Sequence, residues 1–388
     1  MEKKKNTGSV NPEHFRNFKP ELGISSPGRI NMIGEHTDYN NGFVLPTAID
    51  RTIELNFAPN SSDFECNVYS KTYNKHFSFD LRKISRSEKA WENYILGVVV
   101  EIQKRGKSLK GFDCVITSDL PVGAGVSSSA ALECGMAFGL NELFKLGLDR
   151  KTMAQLSQSA EHHYVGTKCG IMDQYASMLS KKDHLILLDC KSLEASYVPA
   201  QFKEYQVLLL NTMVSHKLAD SEYNKRRAEC EKVVEVVQKK YPEVSSLRDV
   251  SFDILEDVKN ELSEVQYKRA HYVLEENDRV LRAVDAIQEG RIDDFGSLMY
   301  ASHAGLRDEY EVSCKELDFL VDFTKTYDYI SGARMMGGGF GGCTINLIKN
   351  EKVEEFTRKA AAAYSEAFGI ELQAIPVLPQ EGTKIKTA

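Results

Sequence analysis

The run PVGAGVSSSAALE at positions 121–133 constrains this chain most, because a strand-like segment (111–118) precedes it and a helical pattern follows. That pattern runs through Ala130, Leu132, Met136, Phe138 and Leu140. Between strand and helix stand small residues, so backbone N–H groups can approach an anion at the positive end of the helix. Three consecutive hydroxyls, Ser127, Ser128 and Ser129, add donors for phosphate oxygens or ligands for a metal. One serine alone would read as a helix N-cap; the whole run Gly123, Ala124, Gly125, Val126 and the three serines fits phosphate better. No Lys-Ser/Thr pair ends the run, so it is not a Walker A loop. Ser128 stands where a dinucleotide fingerprint needs its third glycine.

A second dense segment, PGRINMIGEHTDYNNGFVLP at 27–46, follows an extended apolar piece. It places Arg29, Glu35, His36 and Asp38 within ten residues, held between Gly28, Gly34 and Gly42. Carboxylates accept, arginine donates and histidine does either, a mixture that suits a small ligand covered with hydroxyls. One such residue would be explained by a turn capping its own backbone. Four of mixed type point to a site.

Composition narrows the partners. A net charge of −7 excludes a general affinity for nucleic acid. It also obliges any phosphate site to rest on local N–H groups, a few cations and a metal ion. The N-terminal MEKKKN has no apolar run behind it, so no signal peptide is expected. The longest apolar stretches are far too short to span a bilayer. Eight scattered cysteines form no C-x-x-C pair and read as free, mostly buried thiols in a reducing compartment, which predicts a cytoplasmic protein.

At 388 residues the chain has room for two or three domains. Residues 51–58 and 64–70 alternate as strands, and Trp91, Tyr94, Ile95, Val98, Val99 and Ile102 recur at helical spacing. Helical patterns at 151–165 and 172–179 precede strands at 185–189 and 206–210. The second half is richer in helix, at 221–240 and 264–288, and closes with a glycine-rich loop (332–342), a strand (344–348), a helix (353–368) and a strand (374–378). Strands then helices without strict alternation predict an α+β fold in two lobes, 1–200 and 201–388, with the boundary near 195–205.

Asp173, in GIMDQ (170–174), stands where a helix should begin, and the helix dipole alone explains an acid there. Glu161 lies beside His162 and His163, which make no H-E-x-x-H pattern, so zinc is not expected. Glu161 with a serine hydroxyl would offer hard oxygen ligands suited to Mg²⁺ completed by water and phosphates. Tyr223 and the cations of SEYNKRR (221–227) open a long charged helix, the cations reading as a solvated face. The run GARMMGGGFGGC (332–343) fits either backbone packed on a ligand or the first lobe, or a hinge.

The segments at 27–46, 121–133 and 332–343, with GIMDQ and SEYNKRR, together resemble the GHMP small-molecule kinases, and the first is similar to the galactokinase branch. The likeness covers nearly the whole chain. Ile30, Met32 and Val126 replace Val, Leu and Leu of the usual pattern without removing a polar group. The resemblance implies a two-lobed GHMP kinase fold, mixed β-sheets with packed helices and an active site between the lobes. It implies transfer of the ATP γ-phosphoryl group to the anomeric hydroxyl of galactose, with galactose and MgATP as partners, no nucleic acid, no membrane, and a monomer. By that likeness Glu35, His36, Thr37, Asp38 and Tyr223 bind the sugar. Asp173 accepts the hydroxyl proton or orients the hydroxyl, and Arg29 stabilises the transferring group. Residues Gly123 to Ser129 wrap the phosphates, Ser129 and Glu161 hold Mg²⁺, and Ser70 and Trp91 lie at the nucleoside end. Kinases of related sugars such as N-acetylgalactosamine share these features. Non-catalytic sugar sensors lose the Ser-Ala pair that Ser129 and Ala130 supply here.

Overall fold

The strands Leu22–Asn31 and Pro46–Pro59 pair antiparallel and form the middle of a seven-stranded sheet. Its order is Lys384–Ile385, Leu22–Asn31, Pro46–Pro59, Phe112–Ser118, Glu65–Ser70 and Lys75–Asp80, with Pro379–Gln380 also paired to Pro46–Pro59. Glu65–Ser70 runs parallel to Phe112–Ser118 and the other pairs are antiparallel, so the sheet is mixed. The computed structural model describes residues 12–200, 202–215 and 219–386; the N-terminal hexapeptide read for a leader lies outside them.

Helix Ser128–Phe144 lies on this sheet with every residue from Ala130 to Asn141 buried, which explains why it is apolar on all sides. Helices Ala90–Lys104, Arg150–Ala160 and Met172–Leu179 pack around it. Asp149 caps Arg150–Ala160 by accepting from the Thr152 N–H at 2.7 Å. A three-stranded sheet, Phe43–Val44, His184–Asp189 and Glu194–Pro199, flanks the site.

The second lobe is built on an antiparallel sheet ordered Ile330–Met335, Gly341–Lys349, Tyr205–Ser215 and Gln373–Val377. Helices Ile292–Asp308, Lys315–Thr324 and Val353–Phe368 pack with it, and Ala219–Gln238 crosses Glu264–Gln288 beside it. One apolar cluster joins Ile30, Met32 and Ile33 to Val280, Leu209, Phe295 and Ile345. The lobes therefore share a core rather than meeting at a wet interface.

The architecture is the expected α+β one, with local differences. Residues 332–335 are not loop but strand, paired with 344–347 and buried; only the turn at 336–340 remains open. Helices Ile292–Asp308 and Lys315–Thr324 and strands Lys75–Asp80 and Glu194–Pro199 were not anticipated. Gly296 and Gly305 depress the propensity of Ile292–Asp308, which stands on packing by Phe295, Met299 and Leu306. Of the cations after Tyr223, Lys225 is exposed as a solvated face requires, but Arg226 is not. Arg226 is buried and donates through Nε to the Tyr310 carbonyl and through Nη2 to the Glu311 carbonyl, each at 2.8 Å. Finally, 379–386 returns to the first sheet, so a cut near 195–205 does not separate the two sheets. No helix among the described residues is long and apolar enough to cross a membrane.

Candidate active site

Two cavities meet at the glycine-serine loop. One, of about 490 Å³, is lined by residues 123–129 together with Ser70, Trp91, Tyr73 and Lys75. Among the described residues Lys75 is its single charged lining residue, and no carboxylate faces it. The other, of about 320 Å³, is lined by Arg29, Glu35, His36, Asp38, Glu161, Asp173 and Tyr223, among others. Gly125, Ser127 and Ser129 line both. Four carboxylates and one arginine on one side thus face an acid-free side across the loop.

Local backbone geometry sets both walls. Ser127 sits in the left-handed region (φ 58°, ψ 61°) just before helix Ser128–Phe144, and His36 does the same at φ 62°. Non-glycine residues rarely occupy that region, at a cost on the order of 1 kcal/mol. The Ser127 hydroxyl does not cap the helix and is buried without a partner. It is left for a ligand.

The catalytic-looking pair is Arg29 and Asp173. Arg29 donates from Nε to Oδ1 and from Nη2 to Oδ2, each at 2.7 Å, while Nη1 donates to the Gly125 carbonyl at 2.6 Å. The fork ties the carboxylate to the loop shared by both cavities. Burial works against the Arg29 charge, but Asp173, Glu35 and Asp38 outweigh it and hold the guanidinium protonated.

Glu35 Oε1 accepts from Arg334 Nη2 at 3.1 Å and from the Gly337 N–H at 2.9 Å. The glycine turn of the second lobe therefore packs on the first, answering the alternative left open by its sequence. Asp38 Oδ1 accepts from the Tyr39 N–H at 2.9 Å. Burial, then the charge of Asp173, pushes its pKa up to about 7. A Cβ at Gly170 would overlap the Asp38 carboxylate, so the glycine of GIMDQ makes room for it. His36 is neutral, its pKa pushed down to about 3 chiefly by burial. Thr37 does not reach the cavity: its hydroxyl donates to the Gly34 and Phe43 carbonyls at 2.9 and 2.6 Å and braces the loop.

Glu161 opens a π-helical turn, Glu161–Val165, that ends helix Arg150–Ala160, a geometry that swings a side chain off the helical register. Burial and the charge of Asp173 push its pKa up to about 7, while the Ser129 hydroxyl is among the groups favouring its charge. Glu133, a turn further along the loop helix, is fully buried beside it; burial and Glu161 push its pKa well above the carboxylate range. Gln174 Nε2 donates to Glu161 Oε2 at 2.9 Å and to Glu133 Oε2 at 3.3 Å. His162 and His163 turn away, to the Cys169 carbonyl and to Glu101.

Of the residues given a catalytic, binding or metal role from sequence, all but Thr37 line one of the two cavities. Sequence reading missed Arg334, Glu133, Gln174, Tyr39 and Tyr310. Glu133 and Gln174 lay inside quoted motifs, and an ionisable or amide group on the buried face of a helix was the available signal. Arg334 pairs with a partner 299 positions away, and no local pattern marks that.

The comparisons with known proteins follow this geometry. A galactokinase galactose-binding signature matches residues 12–59, the GHMP kinases N terminal domain matches 93–181, and the GHMP kinases C terminal matches 283–366. The galactokinase of Thermosipho africanus is 43% identical over 94% of this chain and 100% of its own length. That of Thermotoga neapolitana is 44% identical over 90% of this chain and 96% of its own. The crystal structure of Lactococcus lactis galactokinase complexed with galactose superposes with a TM-score of 0.90 at 33% identity, covering 94% of each chain. The Methanococcus jannaschii mevalonate kinase shares the fold at a TM-score of 0.65 and 18% identity, over 94% of this chain and all of its own. With relatives this similar along nearly its whole length, the chain belongs to the galactokinase family of the GHMP kinases.

Proposed function

We propose that this chain transfers the γ-phosphoryl group of ATP to the anomeric hydroxyl of galactose, giving galactose 1-phosphate and ADP. One observation carries the reading: an acid-free cavity and an acceptor-rich cavity meet at Gly125, Ser127 and Ser129, where Arg29 anchors Asp173. A polyanion fits the first side and a polyol the second. The galactose-binding signature over 12–59 and the galactose named with the L. lactis structure support the choice of sugar.

In this reading Ser70 and Trp91 take the nucleoside end, and the N–H groups of Gly123, Ala124, Gly125, Val126, Ser127, Ser128 and Ser129 take the phosphates. Glu35, His36, Asp38 and Tyr223 hold sugar hydroxyls, while Thr37 only shapes the loop. Asp173 accepts a hydrogen bond from the anomeric hydroxyl, since each of its oxygens keeps a lone pair beyond the one Arg29 uses. The hydroxyl oxygen attacks phosphorus, its proton passes to Asp173, and the bond to the ADP oxygen breaks. Arg29 stays positive and neutralises charge on the transferring group.

The Ser129 hydroxyl and the Glu161 carboxylate are hard oxygen donors facing the same cavity, and the burial and Asp173 charge that push the Glu161 pKa up are what a divalent cation offsets. Mg²⁺ held there would supply charge neutralisation at the phosphate oxygens. All eight cysteines are free, which fits work in the reducing cytoplasm.

ADP release measured against galactose, N-acetylgalactosamine, glucose and mannose tests the proposal. Galactose gives the highest kcat/KM; turnover on another sugar without turnover on galactose would sink the assignment. Asp173→Asn lowers kcat by about 10²- to 10⁴-fold with sugar binding still measurable, and near-normal kcat excludes the role given to Asp173.

A further inference from the structure

Behind the sugar cavity runs a chain of hydroxyls that the reaction as described does not use. His36 Nδ1 lies 2.8 Å from Tyr39 Oη, Tyr39 Oη lies 2.8 Å from Tyr310 Oη, and Tyr310 Oη lies 3.2 Å from Cys230 Sγ. The other ring nitrogen, His36 Nε2, is buried without a hydrogen-bond partner, and His36 lines the cavity.

A neutral imidazole carries one N–H, so the chain can run in one of two directions. The cavity that His36 lines also holds the carboxylates of Glu35, Asp38 and Asp173, and the Gly338 carbonyl favours a proton on the ring while the charges of Arg226 and Arg334 oppose a second one. A proton on Nε2 meets those acceptors favourably. Nδ1 must then accept, so Tyr39 donates to His36, Tyr310 donates to Tyr39, and the Cys230 thiol donates to Tyr310. The reverse order would end a phenol donor on sulfur, a weak acceptor.

The far end of the chain is fixed. Two buried arginines pin the backbone around Tyr310: Arg226 donates to the carbonyls of Tyr310 and Glu311, and Arg269 donates to the Glu309 carbonyl and to Glu311 Oε2. The Tyr310 hydroxyl is thereby held by the second lobe, while His36 belongs to the first.

We propose that Tyr39 and Tyr310 are positioning residues for sugar recognition, holding His36 as the Nε2–H tautomer so that its N–H donates to a sugar hydroxyl oxygen. The inference rests on the proposed sugar-kinase reading. It would make His36 a donor in a pocket that holds four carboxylates, and so a discriminator of hydroxyl orientation.

The test is long-range ¹H–¹⁵N NMR of the histidine rings at pH 7 in the whole, ¹⁵N-histidine-labelled protein without sugar, with His36→Asn to assign the signal. The wild type gives the Nε2–H pattern. Tyr39→Phe shifts it toward the Nδ1–H form and raises the sugar KM about 10-fold, with the ATP KM unchanged. Tyr310→Phe moves both in the same direction by less, and serves alone if Tyr39→Phe does not fold. An Nδ1–H pattern in the wild type, or an unmoved tautomer and unmoved sugar KM in the variants, overturns the proposal. The tautomer is read without sugar and the KM on whichever sugar turns over, so a wrong sugar assignment leaves this test intact.

Discussion

Gly170→Ala probes how the site holds the Asp38 carboxylate and the sugar contact proposed for it. The backbone at Gly170 lies outside the left-handed region, so alanine is conformationally acceptable there, and the cost falls on space alone. The added methyl would overlap the Asp38 carboxylate and come within 2.7 Å of Asp38 Cβ. Reaching ordinary van der Waals contact requires the carboxylate to recede by more than about 1 Å. That motion breaks its bond from the Tyr39 N–H and moves it off any sugar hydroxyl it accepts from. Above pH 7, where the Asp38 carboxyl is charged, a hydrogen bond to it contributes about 1.5–3 kcal/mol. At 1.4 kcal/mol per tenfold, losing one such bond to the sugar raises the galactose KM by about 10- to 150-fold. Steady-state ADP release gives the sugar KM, and an ATP titration at saturating sugar controls for damage to the phosphate loop. The variant's effect runs through Asp38, so Gly170→Ala added to Asp38→Ala changes the sugar KM little further. A sugar KM within twofold of wild type, or full additivity with Asp38→Ala, refutes the reasoning.

Three further outcomes follow from the same geometry. Arg29→Lys cannot reproduce the fork on Asp173 and the Gly125 carbonyl, so kcat falls by about 10²- to 10³-fold with a small change in sugar KM; single-turnover kinetics measure it. Glu161→Gln raises the Mg²⁺ concentration for half-maximal rate by about 10-fold or more, and an unchanged requirement removes Glu161 from the metal shell. Asp38→Asn alters the pH dependence of stability. The folded pKa of Asp38 is raised to about 7, so between the usual carboxylate range and pH 7 the folded state binds more protons than the unfolded one, and stability contributed by this group falls as pH rises through that window. His36, with its pKa pushed down to about 3, acts in the opposite sense and is present in both proteins. Relative to Asp38→Asn, the ligand-free wild type therefore melts at progressively lower temperature from pH 5 to pH 8, by differential scanning calorimetry; a constant difference contradicts the assignment.

The parts of the site that could be read from sequence are those where one short segment supplies both its shape and its chemistry. The loop at 123–129 carries its own turn, helix and donors, and 28–38 carries its own turn and acceptors. Groups whose role depends on a distant partner were misread or missed. Arg226 looks like a surface cation by its neighbours in sequence, yet the carbonyls it serves lie 84 and 85 positions on. Thr37 is the local exception: it looks like a ligand contact beside Glu35, His36 and Asp38, but its hydroxyl is consumed by the turn itself, which residue type alone does not show. Residues 332–335 looked like loop because glycine and mixed side chains carry no alternation, while pairing on a buried strand makes them regular.

The return of 379–386 to the first sheet has a consequence for biosynthesis. Strand Leu22–Asn31 emerges early, but the strand that covers one of its edges, Lys384–Ile385, follows only after the whole second lobe has been translated. The hydroxyls of Ser26 and Thr383, 2.8 Å apart in the finished protein, are separated by 357 positions. Arg150 Nη1 donates to the Thr383 carbonyl at 2.7 Å and closes the same seam. Until that segment arrives, the nascent first lobe carries an uncovered edge able to pair with other chains. Slow translation of the second lobe is then where aggregation competes with folding, and a C-terminal tag burdens the first sheet rather than the second.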